Sequence, residues 1–455
     1  MKLEVIILAA GQGTRMKSDK PKVLHALAGR PLLDHVLSRA KQLHASKVYV
    51  VYGHGGEQVR EALAHWPVEW LLQAEQLGTG HAVQQAMPMI AKDSISLILY
   101  GDVPLISYQT LEQLLKQVDD QHIGLLTTVL SDATGYGRIV RGKDNKVLKI
   151  VEHKDASEIE RDIKEINTGI LAVQSKYLHQ WLQKLDNKNT QGEYYLTDII
   201  EMAVNENLGV AAVVTDDTIE VSGINDQVQL QEMERAYQYR QAIALMRDGV
   251  NISDASRFDC RGTCQAGKDV SIDVNVIMQG EVILGDRVTI GPNVLLQDVK
   301  IGNDVQVFAN SVIQNADIGA FSRIGPFARI RPDTILMDNT HIGNFVEIKK
   351  STVGSGSKVN HLSYIGDSEI GKNVNIGAGT ITCNYDGANK FKTIIGDNAF
   401  IGSDTQLVAP VTVGKGATIG AGSTITSDTA DDKLTLSRSK QITLNGWQRP
   451  KKNEK

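Results

Sequence analysis

The sequence predicts an α/β domain in its first half, one long helix, and a parallel β-solenoid in its second half. Three observations carry this. Apolar runs alternate with amphipathic stretches up to about residue 225. A stretch over 226–248 has no Gly or Pro. From about residue 252 an aliphatic residue recurs every six positions.

The first half reads in order. VIILAA (5–10), KVYVVYG (47–53), SLILYGD (96–102) and GLLTTVL (124–130) are short apolar runs of strand length. Helical stretches such as Pro31–Leu43 separate them. This alternation predicts a mostly parallel sheet with helices on both faces. In DQVQLQEMERAYQYRQAIALMRD, Leu230, Met233, Tyr237 and Ala244 fall at helical spacing, and Gly249 is a natural stop. The expected domains are 1–225, a linking helix over 226–250, and 251–455.

In the second half one register runs Leu284, Ile290, Leu296, Ile301, Val307, Ile313, Ile318, Ile324, Ile330 and onward to Ile376. It resumes at Ile395 and continues to Ile425. Gly often follows the beat, as in IGPN, IGND and IGSD. Five-residue steps follow 296, 313, 348 and 365, a six-residue step follows 330, and these five positions are spaced by 17 or 18, so the same corner returns each time round. Three hexads therefore close one coil, with the aliphatic beat inside. The period resembles the hexapeptide-repeat family, and the left-handed course of its parallel β-helix is implied by that resemblance. Between Ile376 and Ile395 the beat is lost, and Thr380–Lys390 is expected to leave the coil as a loop.

Composition excludes several classes. A formal net charge of −5 argues against general nucleic-acid binding. Cys260, Cys264 and Cys383 form no disulfide framework and lack the second pair of a zinc site. The run in MKLEVIILAAGQG is too short for a signal peptide, and no stretch reaches the roughly 20 apolar residues of a membrane helix. A cytoplasmic protein without membrane insertion is expected. The tail after Gly446, ending QRPKKNEK, reads as disordered.

Two stretches carry chemistry. The first strand runs into Gly11-Gln12-Gly13-Thr14-Arg15-Met16, then Lys20-Pro21-Lys22. A Gly-rich turn at a strand's carboxyl end can wrap phosphates with backbone N–H groups. Here the third Gly of the dinucleotide pattern is missing and cations arrive early, which suits a free triphosphate. L-A-A-G-x-G-T-R-M followed by P-K resembles the sugar-1-phosphate nucleotidyltransferase family, whose domain is Rossmann-like. That resemblance implies a phosphate loop at Leu8, Ala9, Ala10, Gly11 and Gly13, with Arg15 and Lys22 acting on the phosphates. It implies uracil contacts at Gln73, Gly78 and Thr79, and a Tyr100-Gly101-Asp102 segment at the crevice. Mg²⁺ would be held by Asp102 and Asn225, and the sugar by Gly137, Glu152 and Asn167. Each polar residue taken alone is equally a loop hydrogen bond; their joint order along the chain favours the site.

The second stretch is KVNHLSYIGD, 358–367. His361 lies two places past the beat residue Val359, so it is not an inward position. Arg331 and Lys349 each follow a beat residue and are 18 apart, hence stacked in adjacent coils about 4.8 Å apart. Stacked cations repel, which favours an anion between them; ordinary surface charge is the alternative. His361 is expected in the same wall as this pair. Ser403 and Ala421, also 18 apart, share a column. His341 and His361 occupy different repeat positions, which opposes a three-histidine zinc site.

Taken whole, a pyrophosphorylase domain, a long helix and a hexapeptide β-helix resemble the bifunctional uridyltransferase/acetyltransferase family of UDP-N-acetylglucosamine synthesis. The resemblance implies His361 as general base, Arg331 and Lys349 as phosphate ligands, and Tyr364, Asn375, Asn384 and Tyr385 as sugar contacts. Ala378, Ser403, Ala421 and Arg438 would meet acetyl-CoA. Imidazole titrates near neutrality, as a general base at pH 7 requires. Glucosamine 1-phosphate, N-acetylglucosamine 1-phosphate, UTP and acetyl-CoA are the implied small molecules, and a homotrimer the implied assembly. Two other readings stand beside this one: a nucleotidyltransferase whose β-helix is a regulatory or oligomerising module, and a structural or ligand-binding repeat protein. The set His361, Lys349, Arg331 and Asn384 opposes the first, and the phosphate-loop signature opposes the second.

Overall fold

In the computed structural model, described for residues 1–53, 55–450 and 452, the chain forms two compact units, Met1–Tyr237 and Gln238–Lys455. The dividing point falls inside one 21-residue helix, Gln227–Arg247. Gly249, at φ 99°, follows it.

The first unit is built on a twisted sheet. Its strand order is Gly209–Thr215, His122–Val129, Glu165–Gln174, Ser94–Tyr100, Lys2–Ala9, Lys47–Gly53, Glu69–Gln73. Only Glu165–Gln174 runs antiparallel to its neighbours in this path. The central strand is covered on both sides, as its unbroken apolar run requires. Ile6 and Leu8 pack with Val83, Leu178, Trp181 and Ile199. Val5 and Ile7 pack with Leu33, Val36, Leu111 and Leu114 on the opposite face. Helix Leu32–Gln42 lies within the expected 31–43.

The second unit is a parallel β-solenoid. An 11-stranded sheet forms one wall and a 15-stranded sheet wraps the others. The beat is the core: each beat residue from Leu284 to Ile425 is at most 3% exposed. Leu296, Ile313, Ile330, Ile348 and Ile365 pair directly in successive coils. Each such aliphatic contributes roughly 1.5–3 kcal/mol by burial.

Two expectations are corrected. The coil does not open at Ile376. Strand Ile381–Cys383 continues it, pairing Tyr364 with Ile381 and Thr382 with Leu407. Thr382 occupies the inward beat, fully buried, its hydroxyl accepting from Gly366 N at 2.8 Å. A polar residue on the beat hid this strand from an aliphatic period. The excursion comes after it, so Lys372 finds its ladder partner Asp397 25 residues on, instead of the usual 17 or 18. Second, His361 is not in the wall of Arg331 and Lys349. It ends strand Lys358–His361 of the 11-stranded sheet, whereas Lys349 lies in the 15-stranded sheet and Arg331 directly follows a strand of it. His361 stands two beats past Ile348, and only three beats return to the same wall.

Residues 436–450 and 452 carry no helix or strand. The expected disordered tail otherwise falls at 451 and 453–455, outside the described residues. No helix among the described residues is long and apolar enough to cross a membrane.

Candidate active sites

In the first unit, connections leave the central strand in opposite directions, which opens a crevice at its carboxyl end. A cavity of about 310 Å³ lies there. Leu8, Ala9, Ala10, Gly11, Lys22, Gln73, Gly78, Thr79, Tyr100 and Asp102 line it, joined by Val23, Gln76, Ala82 and Glu193. Gln76 sits inside a loop marked by its motif; Val23, Ala82 and Glu193 carried no sequence signal.

The loop's geometry explains its glycines. Gly13 has φ 63°, and a Cβ there would stand 2.8 Å from Lys22 Cβ. Gly78 has φ 108°, and its Cβ would strike Tyr194 O at 2.6 Å. Tyr194 N in turn donates to Leu77 O at 2.8 Å, which brings Glu193 to the cavity. Gln73 is buried and donates to Gly78 O at 3.2 Å. Thr79 opens helix Thr79–Ala86, and its hydroxyl accepts from Leu196 N at 3.1 Å. Gly101 N donates to Leu8 O at 2.9 Å, tying the two strand ends together.

At the cavity wall Lys22 Nζ pairs with Asp102 Oδ2 and donates to Asn225 Oδ1 at 3.2 Å. Arg15 Nη2 donates to the same Asn225 oxygen at 2.8 Å. Ile224 N donates to Asp102 O at 3.0 Å, which holds the Asn225 segment against the strand end. One carboxylate and one amide oxygen therefore share an ammonium between them. Hard oxygens with a single charge fit a small divalent cation that takes its remaining ligands from phosphates.

Deeper, Asn167 N donates to Gly137 O at 2.9 Å. A Cβ on Gly137 would lie 3.4 Å from both Glu152 oxygens. Thr197 Oγ1 donates to Glu152 at 3.0 Å, and burial pushes the Glu152 carboxyl up. Burial also raises the Tyr100 phenol, with the Glu152 and Asp102 carboxylates adding to it.

In the second unit the residues two places past the beat form one ladder column. Asn344 pairs with His361. Gly379 N donates to His361 O, Asp404 N to Ala378 O and Gly422 N to Ser403 O. The column thus runs Asn344, His361, Ala378, Ser403, Ala421. Arg438 Nη1 donates to Ala421 O at 2.7 Å at its far end. His361 is exposed; its Nδ1 meets Asn344 Oδ1 at 3.0 Å, and Ser363 Oγ donates to its carbonyl at 2.8 Å.

Around the corner lie the cations. Arg331 Nη1 pairs with Glu347 Oε1 at 2.7 Å, so one of the two stacked charges already has an anionic partner. Lys349 has instead Lys390 beside it. That ammonium, then desolvation and then Arg331 push the Lys349 amine below its usual value. Lys390 comes from the excursion loop, whose composition gave no hint of this contact. Asn384 is buried and donates to Asp367 Oδ2 at 2.6 Å. A Cβ on Gly366 would lie 2.5 Å from the Tyr364 hydroxyl and 2.8 Å from Asn384 Nδ2, so both groups lie over that glycine. Tyr385 is exposed at the loop's start, and Asn375 sits on the His361 wall opposite Lys358. The cysteines stand apart: burial pushes the Cys260 and Cys264 thiols up to about 11 and 12, away from reactivity at pH 7.

Comparison with known proteins agrees with both halves. Residues 5–159 match a MobA-like NTP transferase domain, and residues 315–350 and 392–427 match the bacterial transferase hexapeptide of six repeats. A bifunctional protein GlmU from Methylococcus capsulatus is 57% identical over the whole chain and 99% of its own length. Another from Acinetobacter baumannii is 55% identical over the full length of both. A solved nucleotidyl transferase from Methanothermobacter thermautotroptrophicus aligns over 52% of this chain and 97% of its own, with 18% identity and a TM-score of 0.38. On the full-length identity, the chain belongs to the bifunctional GlmU family, the uridyltransferase/acetyltransferases of UDP-N-acetylglucosamine synthesis.

Proposed function

We propose that the two units carry the two activities separately, acetyl transfer on the solenoid and uridylyl transfer in the α/β unit. The observation that carries this is their coexistence on one chain: the Lys22–Asp102–Asn225 cluster at a cavity, and His361 in an open column next to Asn344.

On the solenoid, the amine of glucosamine 1-phosphate attacks the thioester carbon of acetyl-CoA. The C–N bond forms, the C–S bond breaks and CoA leaves as the thiolate. His361 takes the amine proton on Nε2. Arg331, Lys349 and Lys390 hold the phosphate; Tyr364, Asn375, Asn384 and Tyr385 orient the sugar. Acetyl-CoA runs along Ala378, Ser403 and Ala421 to Arg438. The small residues of this column support that path, because they leave a low strip.

In the α/β unit, a phosphate oxygen of N-acetylglucosamine 1-phosphate attacks the α-phosphorus of UTP, and pyrophosphate leaves. The nucleophile is already ionised at pH 7, so no base is needed. Bound Mg²⁺, held by Asp102 and Asn225, would supply charge stabilisation on the phosphates. Arg15 and Lys22 neutralise the triphosphate and fix it in line. The backbone of Leu8–Gly13 wraps it. Gln73, Gly78 and Thr79 read uracil, and Gly137, Glu152 and Asn167 hold the sugar.

A homotrimer is part of this proposal. The corner three residues past the beat adopts left-handed backbone in every coil from Asn275 on. In the early coils it carries Asn275, Asn293 and Asn310, at φ 58–59°. Beside His361 it carries Phe327, Phe345 and Leu362, at φ 56°, 55° and 47°. Bulky residues there cost about 1–2 kcal/mol each. They are nonetheless 49–63% exposed, and the two phenyl rings stack at 5.4 Å. An exposed apolar ridge held against its own strain supports a surface that another copy covers. The cytoplasm, where the nucleotide and acyl co-substrates are, is the proposed location.

The wild-type chain tests the reading. It should consume acetyl-CoA with glucosamine 1-phosphate and release pyrophosphate with UTP and N-acetylglucosamine 1-phosphate. Uridylyl transfer without acetyl-CoA consumption would reduce the solenoid to an oligomerising module.

A further inference from the structure

Asn344 was marked by no motif, yet its column position departs from the coils before it. Two places past the beat, those coils carry Pro292, Ala309 and Pro326, none with a side-chain polar atom. The next carries Asn344, and the one after it His361. Asn344 Oδ1 lies 3.0 Å from His361 Nδ1. An amide oxygen can only accept, so the contact requires the ring proton on Nδ1. The other nitrogen, Nε2, is then unprotonated in the neutral ring. Ser363 Oγ donates to His361 O and so pins the backbone that carries the ring.

We infer that Asn344 is the positioning residue for acetyl transfer. By accepting the Nδ1 proton of His361, it fixes the tautomer and ring plane that present Nε2 to the substrate amine. The inference rests on the reading of His361 as the base. The reverse amide orientation, with Nδ2 donating to the ring, would leave the proton on Nε2 and no base there, so the two orientations make opposite predictions.

The experiment pairs a spectrum with two variants of the full-length enzyme. Nitrogen-15 NMR of the imidazole, assigned by loss of the signal in His361→Ala, should show a protonated Nδ1 and a bare Nε2 in the wild type above neutrality. Asn344→Leu should shift the ring toward the Nε2–H form. It should lower kcat for acetyl transfer by about 10–100-fold, the usual worth of a group that orients a working histidine, with KM for glucosamine 1-phosphate within threefold. Asn344→Asp, which can only accept, should restore kcat to within about fivefold. A wild-type ring protonated on Nε2, or Asn344→Leu within twofold of wild type, would overturn the inference. If Asn344→Leu fails to fold, the wild-type spectrum alone decides. If His361→Ala keeps its acetyl transfer, the reading of the base falls first, whatever Asn344 does.

Discussion

The two proposed sites differ in shape, and the difference accounts for how each is completed. The uridylyl site is concave. Its walls come from one sheet's carboxyl edge and the loops over it, and its charged groups already pair among themselves within one chain. The acetyl site lies on the outside of a solenoid, where His361, Tyr385, Ser403, Ala421 and Arg438 are all exposed. A solenoid has its core filled by the beat and offers only walls and corners. Such a surface excludes water from a reaction only when something covers it, and the exposed ridge of Phe327, Phe345 and Leu362 is the proposed place.

The contrast can be broken at the ridge. Phe345→Glu should give monomers by sedimentation velocity and lower acetyl transfer by at least about 100-fold, with uridylyl transfer within twofold of wild type. Acetyl transfer by a monomeric variant would show that the flat site is complete alone. A smaller effect tests the phosphate corner. Lys390→Ala removes one charge-assisted contact and should raise KM for glucosamine 1-phosphate about tenfold, leaving kcat within threefold. An unchanged KM would leave Lys390 as a neighbour of Lys349 without a part in binding.

The smallest effect belongs to the concave unit. Burial, with Asp186, Glu201 and Glu152 nearby, pushes Asp198 up to about 6 from an ordinary 3.8. The folded chain therefore favours the protonated carboxyl. That contribution is complete below pH 4 and is lost as pH rises through about 6. Asp198→Asn should raise the melting temperature of the α/β unit by a few degrees above pH 6 and leave it unchanged at pH 4. A gain independent of pH would assign the effect to something other than charge.

How much of this could be read from the sequence follows from which interactions are local. The solenoid was legible because each beat residue reports its own burial, from Leu284 to Ile425. Thr382 escaped because its inward place is satisfied by a hydroxyl hydrogen bond instead of aliphatic volume. The wall of His361 is legible too, since His361 stands two beats past Ile348 and not three. The phosphate loop was legible as contiguous text. Glu193 was not, because only the close approach of Gly78 to Tyr194 brings it to the cavity. Lys390 reaches Lys349 from the excursion loop, a contact that no spacing reports. Asn344 stands one coil, 17 residues, before His361, but that spacing alone does not distinguish it from a surface polar residue.

The central claim is that the two chemistries are separable on one folded chain. Both assays on His361→Ala and Asp102→Ala test it most directly. His361→Ala should abolish acetyl-CoA consumption with glucosamine 1-phosphate, a loss of about 10²–10⁴-fold, and leave uridylyl transfer nearly intact. Asp102→Ala should do the reverse. If either substitution lowered both activities together in folded protein, the account of two independent sites would be contradicted.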